Sequence, residues 1–263
     1  MPVEKRIFDN PHPVDQNNAS RRLPVIICLD VSGSMRNNVN DLEEGLKLFL
    51  KECRDDQNAK YSCEVLILTF SETITVIQHF DTIENITKNG IPSYGLAANG
   101  YTATGEAVRL GLELLDERWK ELKHQGVSRY MPWLVVMSDG YPEGSSAQVT
   151  AERMAVLDEV SQELAKRVRH KTLSTFSIGI GKFNNEKVMD KLSPGRKSVH
   201  LQSYADGSHK FNEFFTWLSS SVGTTSSKAP QEEVPMQPIG SWAEGWGAIN
   251  TAAATEGNWK KSL

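Results

Sequence analysis

A chain of 263 residues, 39% hydrophobic and 24% charged, is long enough for one substantial domain whose core does not depend on disulfides. Its formal charge of −4 leaves no case for a nucleic-acid surface spread over the whole fold. No apolar run approaches the roughly 18 residues that cross a bilayer, so neither nucleic acid nor membrane is an expected partner.

The first twenty residues read as a polar N-terminal extension. MPVEKRIFDNPHPVDQNN has no apolar stretch of the secretory kind, which points to a cytoplasmic protein. Cys28, Cys53 and Cys63 are odd in number and show no CxxC spacing; they read as reduced core residues.

LPVIICL (23–29) is apolar on both faces, as a strand covered by helices on each side must be. The stripe Val39, Leu42, Leu46, Phe49, Leu50, Cys53 then steps by three and four, which predicts a helix. CEVLILTF (63–70) and TITVIQHF (73–80) are strands separated by Ser71 and Glu72 alone. That gap admits a hairpin and no crossover, so the pair is antiparallel. A second helical stripe runs Val108, Leu112, Leu115, Trp119, Leu122, followed by the strand WLVVM (133–137). Leu157, Val160, Leu164 and Val168 give a third helix, LSTFSIGI (173–180) and SVHL (198–201) two more strands, and Phe211, Phe214, Phe215, Leu218, Val222 a last helix.

This alternation predicts a doubly wound α/β domain over 21–223: a mostly parallel sheet with one antiparallel edge strand and helices on both faces. From 224 to 263 a proline-rich linker leads into a Gly/Ala tail holding Trp242, Trp246 and Trp259, read as loosely ordered or docked on the domain.

Where the first strand ends, LDVSGSM (29–35) sets Asp30, Ser32 and Ser34 at every second position. In a doubly wound sheet, ligands bind outside the carboxyl ends of the strands, where strand order reverses. WLVVMSDG delivers Asp139 to the corresponding end of the fourth strand, and GYTATGEA (100–107) brings Thr102 and Thr104 to the same rim. Carboxylates and hydroxyls are hard oxygen ligands. They suit Mg²⁺, with Mn²⁺ as a substitute and Ca²⁺ a poorer fit for so few carboxylates.

Plainer readings compete. Asp30, Ser32 or Ser34 could cap the following helix, Thr104 could cap the next one, and Asp139-Gly140 could be only a turn. GIGK (179–182) lacks the full phosphate-loop pattern and reads as a strand end and turn. Lys166, Arg167, Arg169, His170 and Lys171 read as a solvated, basic helix terminus.

Asp30-Val-Ser32-Gly-Ser34, Thr102 and Asp139-Gly140 resemble, in type and order, the metal-ion-dependent adhesion site of von Willebrand factor A domains. The likeness spans roughly residues 20–222. It implies that Ser32, Ser34 and Thr102 ligate the ion, that Asp30 and Asp139 act directly or through water, and that one position stays open for a partner's Asp or Glu. Tyr101 stands where the family often has a second glycine, which leaves the ligand role between Thr102 and Thr104 open. RRLPVIICLDVSGSM, RYMPWLVVMSDGYP and FNEFFTWLSSSVGTTS further resemble the bacterial TerY-type group, associated with tellurium resistance and with stress or phage-defence gene clusters. That likeness implies a cytosolic adaptor working with kinase, phosphatase or ATPase components.

Two other classes compete with the adaptor: a Mg²⁺-dependent phosphohydrolase using Asp30, and a structural subunit with a vestigial metal site. A serine nucleophile finds no support, since VSGSM is not a G-x-S-x-G elbow and no histidine stands in a motif that nominates it as base. The expectation is a binding module without catalytic residues.

Overall fold

A computed structural model of the chain describes residues 10–181, 186–201, 210–227 and the backbone of 243–244. Its strands are β1 (Leu23–Asp30), β2 (Cys63–Phe70), β3 (Ile74–Thr82), β4 (Trp133–Ser138), β5 (Ser174–Gly179), β6 (Val199–Leu201) and β7 (Ala243–Glu244). They form one sheet in the order β3-β2-β1-β4-β5-β6-β7. β2-β1-β4-β5-β6 are parallel, and the predicted hairpin places β3 antiparallel on the edge. Strand order reverses between β1 and β4, which are direct neighbours.

Among the described residues seven α-helices cover the sheet: α1 (Val39–Asp55), α2 (Ala59–Ser62), α3 (Ile83–Thr87), α4 (Thr104–His124), α5 (Ala147–Arg169), α6 (Glu186–Leu192) and α7 (Phe211–Ser226). Alternation along β1 sorts its side chains between two cores. Leu23, Val25, Ile27 and Leu29 pack with α1 and α7 on one face; Ile26 and Cys28 pack with α4 and α5 on the other. α1 and α7 lie unusually close. A Cβ at Gly45 would stand 2.5 Å from Cδ2 of Phe215, so this approach exists because residue 45 carries no side chain. All three cysteines are free and buried, as core residues should be.

Where the sequence pattern and the structure differ, the reason is local. α4 and α5 begin before their apolar stripes, because a helix's first turn can be polar when its amides find acceptors. Ser146 Oγ accepts from the Val149 amide at 3.2 Å at the start of α5. α7 runs to Ser226, past the predicted domain end. Within the predicted tail, Ala243–Glu244 pair antiparallel with β6; a two-residue strand leaves no periodic signal. Gly179 ends β5 and Gly181 has φ of +73°, a strand end and turn as read, with Lys182 outside the described residues. Trp242, Trp246 and Trp259 also lie outside them. Among the described residues no helix is long and apolar enough to cross a membrane.

At the amino end of β1 and β2, opposite the predicted site, Arg22, Glu64 and Arg118 form a buried charge triad, each at most 2% exposed. Arg22 Nη2 also donates to the carbonyls of Asp15 and Asn18, each at 3.0 Å, and Arg118 Nη1 to that of His12 at 3.0 Å. The part of the N-terminal extension from His12 to Asn18 is thereby tied to the domain floor.

Candidate metal centre

β1 and β4 are paired as far as Leu29 and Met137, so the chain leaves both strands at one edge with Asp30 and Asp139 together. Asp30 is fully buried. Its Oδ1 accepts from the Ser32 amide at 2.8 Å and its Oδ2 from Ser138 Oγ at 2.5 Å. Ser32 Oγ and Ser34 Oγ stand 3.1 Å apart, and Ser34 Oγ donates to Asp139 Oδ1 at 2.9 Å. Four of the five predicted ligands thus form one hydrogen-bonded chain, its first link made by the Ser32 amide. A 3-10 turn over Gly33–Asn37 holds the loop between them.

Thr102 joins this group through its backbone. The Asn99 amide donates to the Val31 carbonyl at 2.9 Å, and the Gly33 amide to the Gly100 carbonyl at 3.0 Å. Thr102 and Glu143 exchange backbone hydrogen bonds at 3.1 and 3.2 Å, and the Ala103 amide donates to Ser71 at 3.0 Å. Four connections, after β1, after β2, before α4 and after β4, are in this way joined into one platform.

The stretch leading to Thr102 has no regular structure, and Glu43 on α1 holds it. Its Oε1 accepts from Ser93 Oγ at 2.5 Å and from the amides of Tyr94 and Gly95 at 3.0 and 3.1 Å; Oε2 accepts from the Leu96 amide at 2.8 Å. Burial alone would push this carboxyl up, but the four donors together hold it at about 2 against an ordinary 4.5. A depressed folded value means stability that is present above pH 4.5 and lost as pH falls toward 2, on the order of 3 kcal/mol in all. Glu43→Gln should therefore destabilise the protein at pH 7, with the gap to wild type narrowing between pH 4.5 and 2.5. Urea unfolding at several pH values measures this; a gap constant with pH would refute the assignment.

The site's own carboxyls behave differently. Burial pushes Asp30 up to about 6, Asp139 adding to the rise, while hydrogen bonds from Ser138 and Ser32 oppose it. Burial also raises Asp139 against the bond from Ser34. Both carboxyls are short of positive charge, which a cation would supply. The donor set fits a hard ion: hydroxyl oxygens and two carboxylates converge, and no group of three or more His, Cys, Asp or Glu able to hold a metal exists among the described residues. Thr104 Oγ1 is buried with no hydrogen-bond partner, an acceptor left over at the head of α4.

The capping readings do not hold. The 3-10 turn is preceded by Ser32 and α1 by Asn38, neither with a side-chain cap bond, and Thr104 lies inside α4 after an uncapped Ala103. Sequence reasoning missed Ser138 and Glu43. Ser138 carried a signal, a hydroxyl directly before Asp139. Glu43 carried none, as an acid on a helix otherwise reads as solvent-facing.

A family model described as von Willebrand factor type A domain matches residues 25–216. Among solved structures, proximal thread matrix protein 1 from the mussel byssus aligns at 18% identity and a TM-score of 0.51, over 80% of this chain and 49% of that one. A von Willebrand factor type A protein from Catenulispora acidiphila aligns at 15% identity and 0.52, over 78% and 43%. The PilB minor pilin from Streptococcus sanguinis aligns at 14% and 0.53, over 81% and 63%. The present chain spans less than two thirds of each, and identities this low speak for a common fold alone. No curated protein sequence matches.

Proposed function

This chain belongs to the von Willebrand factor type A family, and on that premise we propose that it is a metal-ion-dependent protein-binding module. Ser32, Ser34 and Thr102 would hold a divalent ion, Mg²⁺ or in its place Mn²⁺, with Asp30 and Asp139 acting directly or through water. The observation that carries this reading is the unbroken hydrogen-bonded run from Asp30, through the Ser32 amide and the Ser32 and Ser34 hydroxyls, to Asp139.

Neutral hydroxyls leave most of a bound ion's charge uncancelled, and that charge attracts a carboxylate from outside. The partner would be a protein offering an Asp or Glu. Asp30 acts as the anchor that sets the Ser32 and Ser138 positions. Both its oxygens already accept hydrogen bonds, which supports a positioning role over a nucleophilic one and a binding module over a phosphohydrolase. The likeness to the TerY-type group supports the finer reading of a cytosolic adaptor in a bacterial stress or phage-defence system, with kinase, phosphatase or ATPase partners.

Isothermal titration with Mg²⁺ tests the site. Wild type should bind, and Ser32→Ala and Asp30→Ala should each weaken binding by tenfold or more, about 1.4 kcal/mol. Equal affinity in all three would sink the metal assignment. Partner capture that survives chelation would favour the structural-subunit reading.

A further inference from the structure

Five large hydrophobic side chains are exposed among the described residues: Tyr61, Tyr101, Trp119, Met131 and Tyr141. Tyr101 and Tyr141, each 39% exposed, stand at the candidate metal centre, one immediately before Thr102 and one two residues after Asp139. Their backbone is fixed by the paired bonds between Thr102 and Glu143. Rigid tyrosines of this kind are typical interface anchors, with an apolar body and a polar tip.

Glu143, in the loop of Tyr141, and Glu72, in the β2–β3 turn beside the loop of Tyr101, are both exposed. A Cβ at Gly100 would lie 3.1 Å from Glu72 Cβ and 3.4 Å from its Oε2, so Glu72 packs along the backbone next to Tyr101. Neither carboxylate has a basic partner among the described residues. Arg36, exposed on the 3-10 turn after Ser34, does not belong to the loops that bear the tyrosines, and the buried Arg153 donates to the Glu143 carbonyl, not to its carboxylate.

We infer that these loops form an anionic, tyrosine-bearing rim that selects a partner segment whose metal-seeking Asp or Glu is flanked by a Lys or Arg. The inference rests on the metal reading above. An acidic flank would meet Glu72 and Glu143 as like charges. A cationic flank would find two unpaired carboxylates and two aromatic faces, and its long aliphatic stem could cover the rings. Charge complementarity thus assigns the occupant: the ion takes the carboxylate, and the rim takes the cation beside it.

The test uses the full chain in Mg²⁺ and fluorescent seven-residue peptides of Ser and Gly with one central Glu, flanked by Lys, Ser or Glu; a Gln-centred peptide with Lys is the control. Anisotropy should rank the flanks Lys, Ser, Glu, with Lys over Ser by roughly fivefold, and the control should not bind. Glu72→Gln with Glu143→Gln should erase the ranking, and Tyr101→Ser with Tyr141→Ser should weaken the Lys-flanked peptide; Mg²⁺ titration of the two double variants reports whether the site itself survives. Equal affinity for the three flanks, or no peptide binding, in a protein that takes up Mg²⁺ would overturn the rim while leaving the ion site standing. Failure of wild type to take up Mg²⁺ would overturn the metal reading, and the rim with it.

Discussion

Replacing Glu64 by Ala should lower the unfolding free energy by about 3–5 kcal/mol. Glu64 is the lone anion between two buried guanidinium groups. Its Oε1 takes Arg22 Nε at 3.2 Å and Arg118 Nη2 at 2.8 Å, and its Oε2 takes Arg118 Nε at 2.9 Å. Glu121, 2.7 Å from Arg118 Nη1, is partly exposed and compensates one cation only in part. Without Glu64 two cations stay in a water-poor interior facing each other, and desolvation of a charge with no counter-ion is among the largest penalties a fold can carry. Glu64→Gln, which keeps the shape and one acceptor, should cost less than Ala. Urea unfolding measures both, with the midpoint shifted and the slope unchanged. A loss below about 1 kcal/mol, the surface-pair range, would mean that water reaches the triad. The N-terminal stretch should loosen together with it, since the same arginines hold the His12, Asp15 and Asn18 carbonyls.

Gly105→Val should be nearly as damaging, and it should reach the candidate metal centre as well. A Cβ at residue 105 would lie 2.7 Å from the Leu157 amide nitrogen and 2.9 Å from its Cα. Both atoms are backbone in the middle of α5, so no rotamer change relieves the clash and the two helices must separate. Overpacking of this sort typically costs about 1–3 kcal/mol, and a branched side chain against main chain belongs at the upper end. Gly105 is the second residue of α4, directly after the loop that bears Thr102. Displacing the head of α4 therefore moves Thr102 and Thr104 relative to Ser32 and Asp139. Calorimetry should show a lower melting temperature, and Mg²⁺ titration of the still-folded variant at low temperature should show weaker uptake. A variant that loses stability but titrates like wild type would detach the α4–α5 contact from the site.

Much of this was legible before any coordinates. Strands apolar on both faces declared a covered sheet, the two-residue gap at Ser71 and Glu72 declared the hairpin, and small oxygen residues at strand ends declared the rim. Elements without periodicity stayed hidden: α2 and α3 last four and five residues, α6 seven, too short for a stripe to repeat. The site was only partly readable for another reason. Asp30, Ser32, Ser34, Thr102 and Asp139 belong to spaced motifs, whereas Ser138 and Glu43 act through partners 108 and 50 to 53 positions away. Such pairings exist only once the topology has brought the segments together.

Strand order also has a consequence in time. β1 pairs on one side with β2, whose sequence follows soon after, and on the other with β4, through pairs such as Val25 with Trp133. During synthesis, β1, β2 and β3 can assemble while one edge of β1 waits for a strand roughly a hundred residues downstream. At roughly 5–20 residues per second the wait is on the order of ten seconds. Through that interval the nascent sheet presents an open apolar edge, the kind that chaperones cover and that other chains can join. The oxygens of Asp30, Ser32 and Ser34 meanwhile lack Asp139 altogether. The proposed metal uptake therefore belongs to the finished molecule, and a stalled or truncated chain ending before β4 would be both sticky and short of the candidate site's second carboxylate.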